Sequence, residues 1–133
     1  MPSYGARSRG RLATAHPDLQ EVFNEAIKYI DIKILEGERD EDRQNALYAE
    51  GKSQVKFPNG KHNKHPSDAI DAAPYPIKWE NTGKNYERFA YMAGIIIGIG
   101  IQKGIFIRWG GDWDRDGELL DNEWDDLPHF ELI

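Results

Sequence analysis

The chain has four histidines and no cysteine, so any transition metal it binds must be held by imidazole and carboxylate. Asp126-Leu-Pro-His129 places a carboxylate three residues before a histidine, at the start of a short apolar tail. Upstream, Gly60-Lys-His62-Asn-Lys-His65 leads into Asp68-Ala-Ile-Asp71. His62, Asp71 and His129 can supply the three protein ligands of a catalytic zinc. Asp126 can sit over the open coordination position as a general base. His65 is the alternative to His62, and His16, beside Pro17, reads as a surface residue at a helix start.

A second cluster precedes that tail. Between Gly110 and Asp126 stand Asp112, Asp114, Asp116, Glu118, Asp121, Glu123, Asp125 and Asp126, against the single base Arg115. This segment carries −7, whereas the whole chain carries −6, so the remainder is +1. The acidity is local, and the balanced remainder argues against a nucleic-acid footprint. Asp112, Asp114, Asp116, Gly117 and Glu123 complete the D-x-D-x-D-G-x5-E calcium-loop pattern. Its flanks, Trp109-Gly110-Gly111 and Pro128, do not read as the paired helices of an EF-hand. Calcium would order the loop that carries Asp126. The competing reading is a solvated acidic turn bent at Gly117.

The elements that must position these groups follow from periodicity. A chain of 133 residues that is 39% hydrophobic suits one domain with one core. Residues 1–11, with Arg7, Arg9 and Arg11, read as a flexible basic arm. Leu19, Val22, Phe23, Ala26, Ile27 and Ile30 recur at helical spacing, predicting a helix from His16-Pro17-Asp18 to about Ile30. Ile32–Leu35 reads as a strand. Asp40 caps a second helix that runs through Glu50 and is closed by Gly51. Residues 52–66 read as loop, and Asp68–Ala73 as a small-residue strand. The third helix spans Asn85–Lys103 and ends at Gly104. Strands Ile105–Trp109 and His129–Ile133 complete the chain. Helices first and strands late give an α+β fold, with three helices on a small, largely antiparallel sheet in a single domain over 1–133.

Tyr91–Ile101 is too short an apolar run to span a bilayer, so no membrane insertion is expected. Within it, Gly94-x-x-x-Gly98 is expected to let another element approach closely. No apolar run follows the N-terminal charges, which predicts a product held in the cytoplasm without a secretion signal of its own. Trp79, Trp109, Trp113, Trp124 and Tyr75 surround the motif segments and read as core or cleft wall.

The segment GKHNKHPSDAIDAAPYPIKW, together with DDLPHFEL, resembles a family of zinc peptidases. That family includes D-alanyl-D-alanine carboxypeptidases, vancomycin-resistance dipeptidases and phage L-alanyl-D-glutamate endopeptidases. It carries S-x-H-x-x-G-x-A-x-D followed by [E/D]-x-x-H, and the resemblance is greatest to short, single-domain phage endolysins. It runs from about Glu36 to the C-terminus. Gly60 stands where the family has serine, and His62 and Asp71 are nine residues apart, more than the usual spacing. Lys61 and Asn63 match the family's residues around its first ligand and favour His62. His65 would then lie beside the site or face substrate.

The resemblance implies zinc held by His62, Asp71 and His129, with Asp126 as the catalytic carboxylate. It also implies that Arg39, in GERDEDRQNALY, binds the substrate carbonyl and steadies the oxyanion, work that suits a planar guanidinium. The implied activity is zinc-dependent hydrolysis of a stem-peptide bond of bacterial peptidoglycan, L-Ala–D-Glu, by a phage or prophage endolysin. Such an enzyme would wait as a monomer in the host cytoplasm for a holin to open the membrane. Two other readings stand beside it. One is a calcium-binding, non-catalytic cell-wall module on the same fold; the other is a D-Ala-D-Ala carboxypeptidase.

Overall fold

The computed structural model describes residues 2–80, 83–119 and 125–133. Among these, the helices are α1 (Ala6–Leu12), α2 (Pro17–Ala26), α3 (Glu41–Ala49) and α4 (Gly83–Lys103). The strands are β1 (Ile32–Glu36), β2 (Ala69–Pro74), β3 (Ile107–Gly110) and β4 (Asp126–Leu132). The strands form one sheet in the order β1-β2-β4-β3, and every pairing is antiparallel. The fold is α+β, as the element pattern predicts, but with four helices instead of three.

The extra helix is α1, which replaces the expected flexible arm. Tyr4, Ser8 and Leu12 are buried. The Tyr4 hydroxyl donates to the Phe23 carbonyl at 2.7 Å, and the Ile34 amide donates to Ser8 Oγ at 3.1 Å. Burial pushes the Tyr4 phenol's pKa up, which keeps it a neutral donor. Two of the arm's arginines are also bound internally, Arg9 to the Tyr4 carbonyl and Arg11 to the Ile34 carbonyl. What reads as a basic tail therefore closes over β1.

The helix ends follow their local chemistry. Pro17 occupies the first turn of α2, and His16 Nδ1 accepts from the Asp18 amide at 3.0 Å as the cap. Helix α2 stops at Ala26, short of the predicted Ile30. Asp40 Oδ1 accepts from the Arg43 amide at 2.8 Å and caps α3 as expected. Gly104, at φ +74, ends α4. The close approach expected at Gly94 and Gly98 is not there, because a Cβ on either meets nothing within 4 Å. It occurs instead at Gly100, where a Cβ would lie 2.5 Å from the Ile105 carbonyl oxygen as the chain turns back toward β3. No described helix is long and apolar enough to cross a membrane.

The sheet has one apolar and one polar face. Ile34, Ile70, Phe130 and Trp109 join the core with Phe23, Phe89, Met92 and Ile96 of the helices. Phe23 meets Phe130 edge-on at 5.7 Å. Side chains alternate along a strand, so the residues beside these core positions, Asp71, His129, Glu131 and Arg108, share the opposite face. Register brings them together: Asp71 lies opposite His129, and Glu131 lies opposite Arg108.

If α1 is part of the core structure, Tyr4→Phe should destabilise the protein by about 1 kcal/mol, the net value of one buried hydrogen bond. Chemical denaturation monitored by tryptophan fluorescence should show a lower midpoint at unchanged slope. An unchanged midpoint would return residues 2–12 to the status of an arm.

Candidate active site

Asp71 sits mid-way along β2 between Ala69 and Ala73 on the same face, whose small side chains leave room for two imidazoles. His129 arrives from β4 directly opposite Asp71. His62 arrives from a single 3-10 turn, Lys61–Asn63, held by backbone bonds from the Arg39 amide to the His62 carbonyl and from the Asp68 amide to the Lys61 carbonyl. Gly60 opens that turn, and a Cβ there would lie 2.7 Å from Asn63 Oδ1, the acceptor of the Gly60 amide. A serine at this position would displace that amide cap.

His62, Asp71 and His129 converge. Nε2 of His62 lies 3.1 Å from Asp71 Oδ1, and Nδ1 of His129 lies 3.4 Å from the same oxygen. The two rings meet edge-on at 5.2 Å. One donor atom from each residue falls within 4.8 Å of the other two. Two imidazoles and one carboxylate form a donor set that suits a catalytic zinc, with a position left for water or substrate. His65 lies outside the group, 87% exposed and paired with Glu38 at 2.7 Å. Of the two candidate histidines, only His62 therefore reaches the cluster.

The three groups are electrostatically coupled, and a metal bound among them would have to displace protons from the imidazoles. Burial alone would raise the Asp71 pKa. The charge of His62, hydrogen bonds from His129 and His62, and the charge of Arg39 outweigh it and hold the carboxyl far below the usual range. Burial disfavours a charged His129, but Asp71 and Glu131 prevail and raise its pKa to about 9. Asp126 moves the other way: burial, then the negative charge of Asp71, raises its pKa above the ordinary carboxylate value. A carboxylate made more basic in this manner is better suited to accepting a proton.

Asp126 begins β4 opposite Gly110, where a register shift interrupts the ladder. A Cβ on Gly110 would lie 2.0 Å from the Asp126 carbonyl oxygen, so glycine allows this close pairing. Trp109 Nε1 donates to the Leu127 carbonyl at 2.6 Å and fixes the next residue. Asp126, His62, Asp71 and His129 line a cleft of about 1200 Å³, walled in part by Trp79 and Trp113. Trp113 lies 5.5 Å from the His129 ring, and Trp79 is 62% exposed at the rim. Trp109 is core, and Trp124 lies outside the described residues.

Arg39 also lines the cleft, but its guanidinium is engaged by the protein. Nη2 lies 2.6 Å from Asp71 Oδ2, Nε lies 2.9 Å from Glu36 Oε1, and Nη1 reaches Gln44 Oε1 at 3.4 Å. It thus holds the Asp71 oxygen that faces away from the histidines. The acidic loop is a separate group. Oxygens of Asp112, Asp114 and Asp116 lie within 4.8 Å of one another. Asp112 Oδ2 accepts from the Gly117 amide at 2.9 Å, with Gly117 at φ +79, while the buried Asp112 Oδ1 has no hydrogen-bond partner among the described residues. Glu123 lies outside the described residues.

A sequence model of the phage L-alanyl-D-glutamate peptidases matches residues 2–133. The chain belongs to this family. It is 33% identical over 121 residues to the L-alanyl-D-glutamate peptidase of Escherichia phage T5, covering 89% of this chain and 86% of that protein. The crystal structure of the Serratia marcescens L-Ala D-Glu endopeptidase ChiX superposes with a TM-score of 0.76 at 28% identity, covering 98% of this chain and 90% of that one. The family match spans α1 as well, beyond the segment from Glu36 onward that carries the sequence resemblance.

Sequence reasoning missed Glu131, Arg108 and Gln44. Glu131 accepts from His129 Nε2 at 2.8 Å, and Gln44 bridges Ser53 and Val55 beside Arg39. The period-two alternation of β4 was the available signal for Glu131, because it shares a strand face with His129. Nothing local marks Gln44, whose role depends on where α3 docks. If the cluster holds zinc, His62→Ala should reduce zinc affinity by more than about 10-fold, whereas His65→Ala should leave it within about twofold. Competition with a chromophoric chelator measures each; the reverse pattern would mean that the wrong imidazole has been assigned.

Proposed function

We propose that the chain is a zinc-dependent peptidoglycan endopeptidase that cleaves the L-Ala–D-Glu bond of the stem peptide. The observation that carries this reading is the close grouping of His62, Asp71 and His129 in a cleft that Asp126 also lines, in a member of a peptidase family. The names of its relatives support the bond assignment over a D-Ala-D-Ala carboxypeptidase. Retention of the complete set of ionisable groups supports an enzyme over a non-catalytic wall-binding module.

His62, Asp71 and His129 would hold the zinc. When bound, it supplies Lewis acidity, polarising the scissile carbonyl and lowering the pKa of a water to about 7. Asp126 accepts the attacking water's proton on its carboxylate and later passes it to the leaving amine. Arg39 keeps Asp71 oriented and adds positive charge where the carbonyl oxygen becomes negative. Trp79 and Trp113 wall the cleft around the peptide. The reading carries a phage setting with it, in which the enzyme is stored in the host cytoplasm and reaches the wall through a holin-type lesion.

The decisive comparison separates binding from chemistry. His129→Ala should lose zinc and activity together. Asp126→Ala should retain zinc by atomic absorption but lose about 100-fold or more in turnover on purified muropeptides. Product analysis should show cleavage between L-Ala and D-Glu. Full turnover by Asp126→Ala would remove that carboxylate from the mechanism.

A calcium site in the acidic loop is the second part of this proposal. It is supported by the close set of Asp112, Asp114 and Asp116 and by Asp112 Oδ1, which has no partner among the described residues. With Glu123, these residues would place oxygens at positions 1, 3, 5 and 12 of a calcium loop. Calcium there would order the segment leading to Asp126 and so regulate turnover. Titration calorimetry should detect calcium binding to the full chain and its loss in Asp114→Ala. Absence of binding heat in the unmodified protein, with calcium-independent activity, would reduce the loop to a solvated turn.

A further inference from the structure

We propose that Glu131, backed by Arg108, is a positioning residue that fixes the His129 ring so that Nδ1, and not Nε2, is presented to the metal. This inference rests on the zinc reading above. Its basis is the way β4 and β3 pair. His129 and Glu131 are two residues apart on one strand and so share a face, while register sets Arg108 directly across from Glu131. Glu131 is only 6% exposed, and its two oxygens are divided between two donors. Oε1 accepts from His129 Nε2 at 2.8 Å, and Oε2 lies 2.9 Å from Arg108 Nη2.

The consequence is chemical. A neutral imidazole carries one N–H and one lone pair. In the neutral ring that a metal requires, with the proton on Nε2 and directed at Glu131, the lone pair lies on Nδ1. That nitrogen faces Asp71 Oδ1 at 3.4 Å and gives up its hydrogen bond to Asp71 when a metal binds. Without Glu131, the proton can reside on Nδ1 and hydrogen-bond to Asp71, which removes the lone pair from the site. His62 meets the same requirement through a neutral acceptor, since its Nδ1 donates to the Gly37 carbonyl at 2.6 Å and leaves Nε2 facing Asp71. The two histidines therefore use opposite nitrogens, each selected by the acceptor behind it. The carboxylate also makes its ring a more basic ligand than a backbone carbonyl does. Arg108 offsets the cost of burying the Glu131 charge by pairing the oxygen that His129 does not engage.

The test uses the full chain and zinc alone. Glu131→Met keeps the volume and removes the acceptor; Glu131→Gln restores an acceptor without the charge. Chelator competition should show zinc bound about 10- to 100-fold more weakly by Glu131→Met, with Glu131→Gln recovering much of the loss. Long-range 1H–15N spectra of the zinc-loaded unmodified protein should show His129 protonated at Nε2, with Nδ1 bearing the metal shift. Affinity of the Met variant within about twofold of the unmodified protein would overturn the role of Glu131 while leaving zinc in place. A spectrum with the proton on Nδ1 would overturn it even if that variant failed to fold. An unmodified protein that took up no zinc would overturn the underlying reading as well.

Discussion

Asp71 carries a shared interaction on which the site depends. One of its oxygens faces the nitrogens of His62 and His129, and the other is held by Arg39. A buried carboxylate is costly without compensation, and here three partners provide it. The partners come from separate parts of the chain: a 3-10 turn, the last strand and the segment before α3. The compensation exists only when these parts are assembled, so the tertiary fold and the ionic state of Asp71 require each other.

Around this carboxylate the structure divides its labour by sheet face. The apolar face receives α2 and α4 and supplies burial through Phe23, Phe89, Phe130 and Ile70. The polar face receives loops and carries the ionisable groups. Each residue of the cluster is held from behind, His62 by Gly37, His129 by Glu131 and Asp71 by Arg39. Such outer contacts keep ligands in place before a metal arrives and lower the reorganisation needed to bind one.

Much of this was legible in the sequence, for reasons specific to each element. Asp40 and Gly51 bracket α3 by capping chemistry that acts within one turn, so its boundaries could be read closely. His62 and His129 could be paired on paper because the chain has only four histidines, whereas Asp71, one of 12 aspartates, was singled out by its place in the family resemblance. The arm was misread because its apolar content is slight: Tyr4 and Leu12 are buried by β1 and α2, and no local periodicity announces that. Gly94 and Gly98 were misread because a glycine pair shows that close approach is permitted, not that a neighbour is present. Gly100 does have such a neighbour, but it comes from the chain's return at Ile105, a tertiary event. Glu131 was passed over because the sequence presents it as one more acid near an acidic stretch, whereas burial and Arg108 separate it from that group.

The direct opposition of Asp71 and His129 across β2 and β4 makes the site a check on strand alignment. A slip of β4 by one residue would turn Phe130 toward the polar face and His129 into the core. Apolar matching would be lost together with the His62-Asp71-His129 cluster, so a one-residue slip could not keep one and lose the other. Metal uptake would then report more than occupancy. It would count the fraction of molecules whose central strands have zipped in the correct phase, a quality that bulk secondary-structure spectra cannot see.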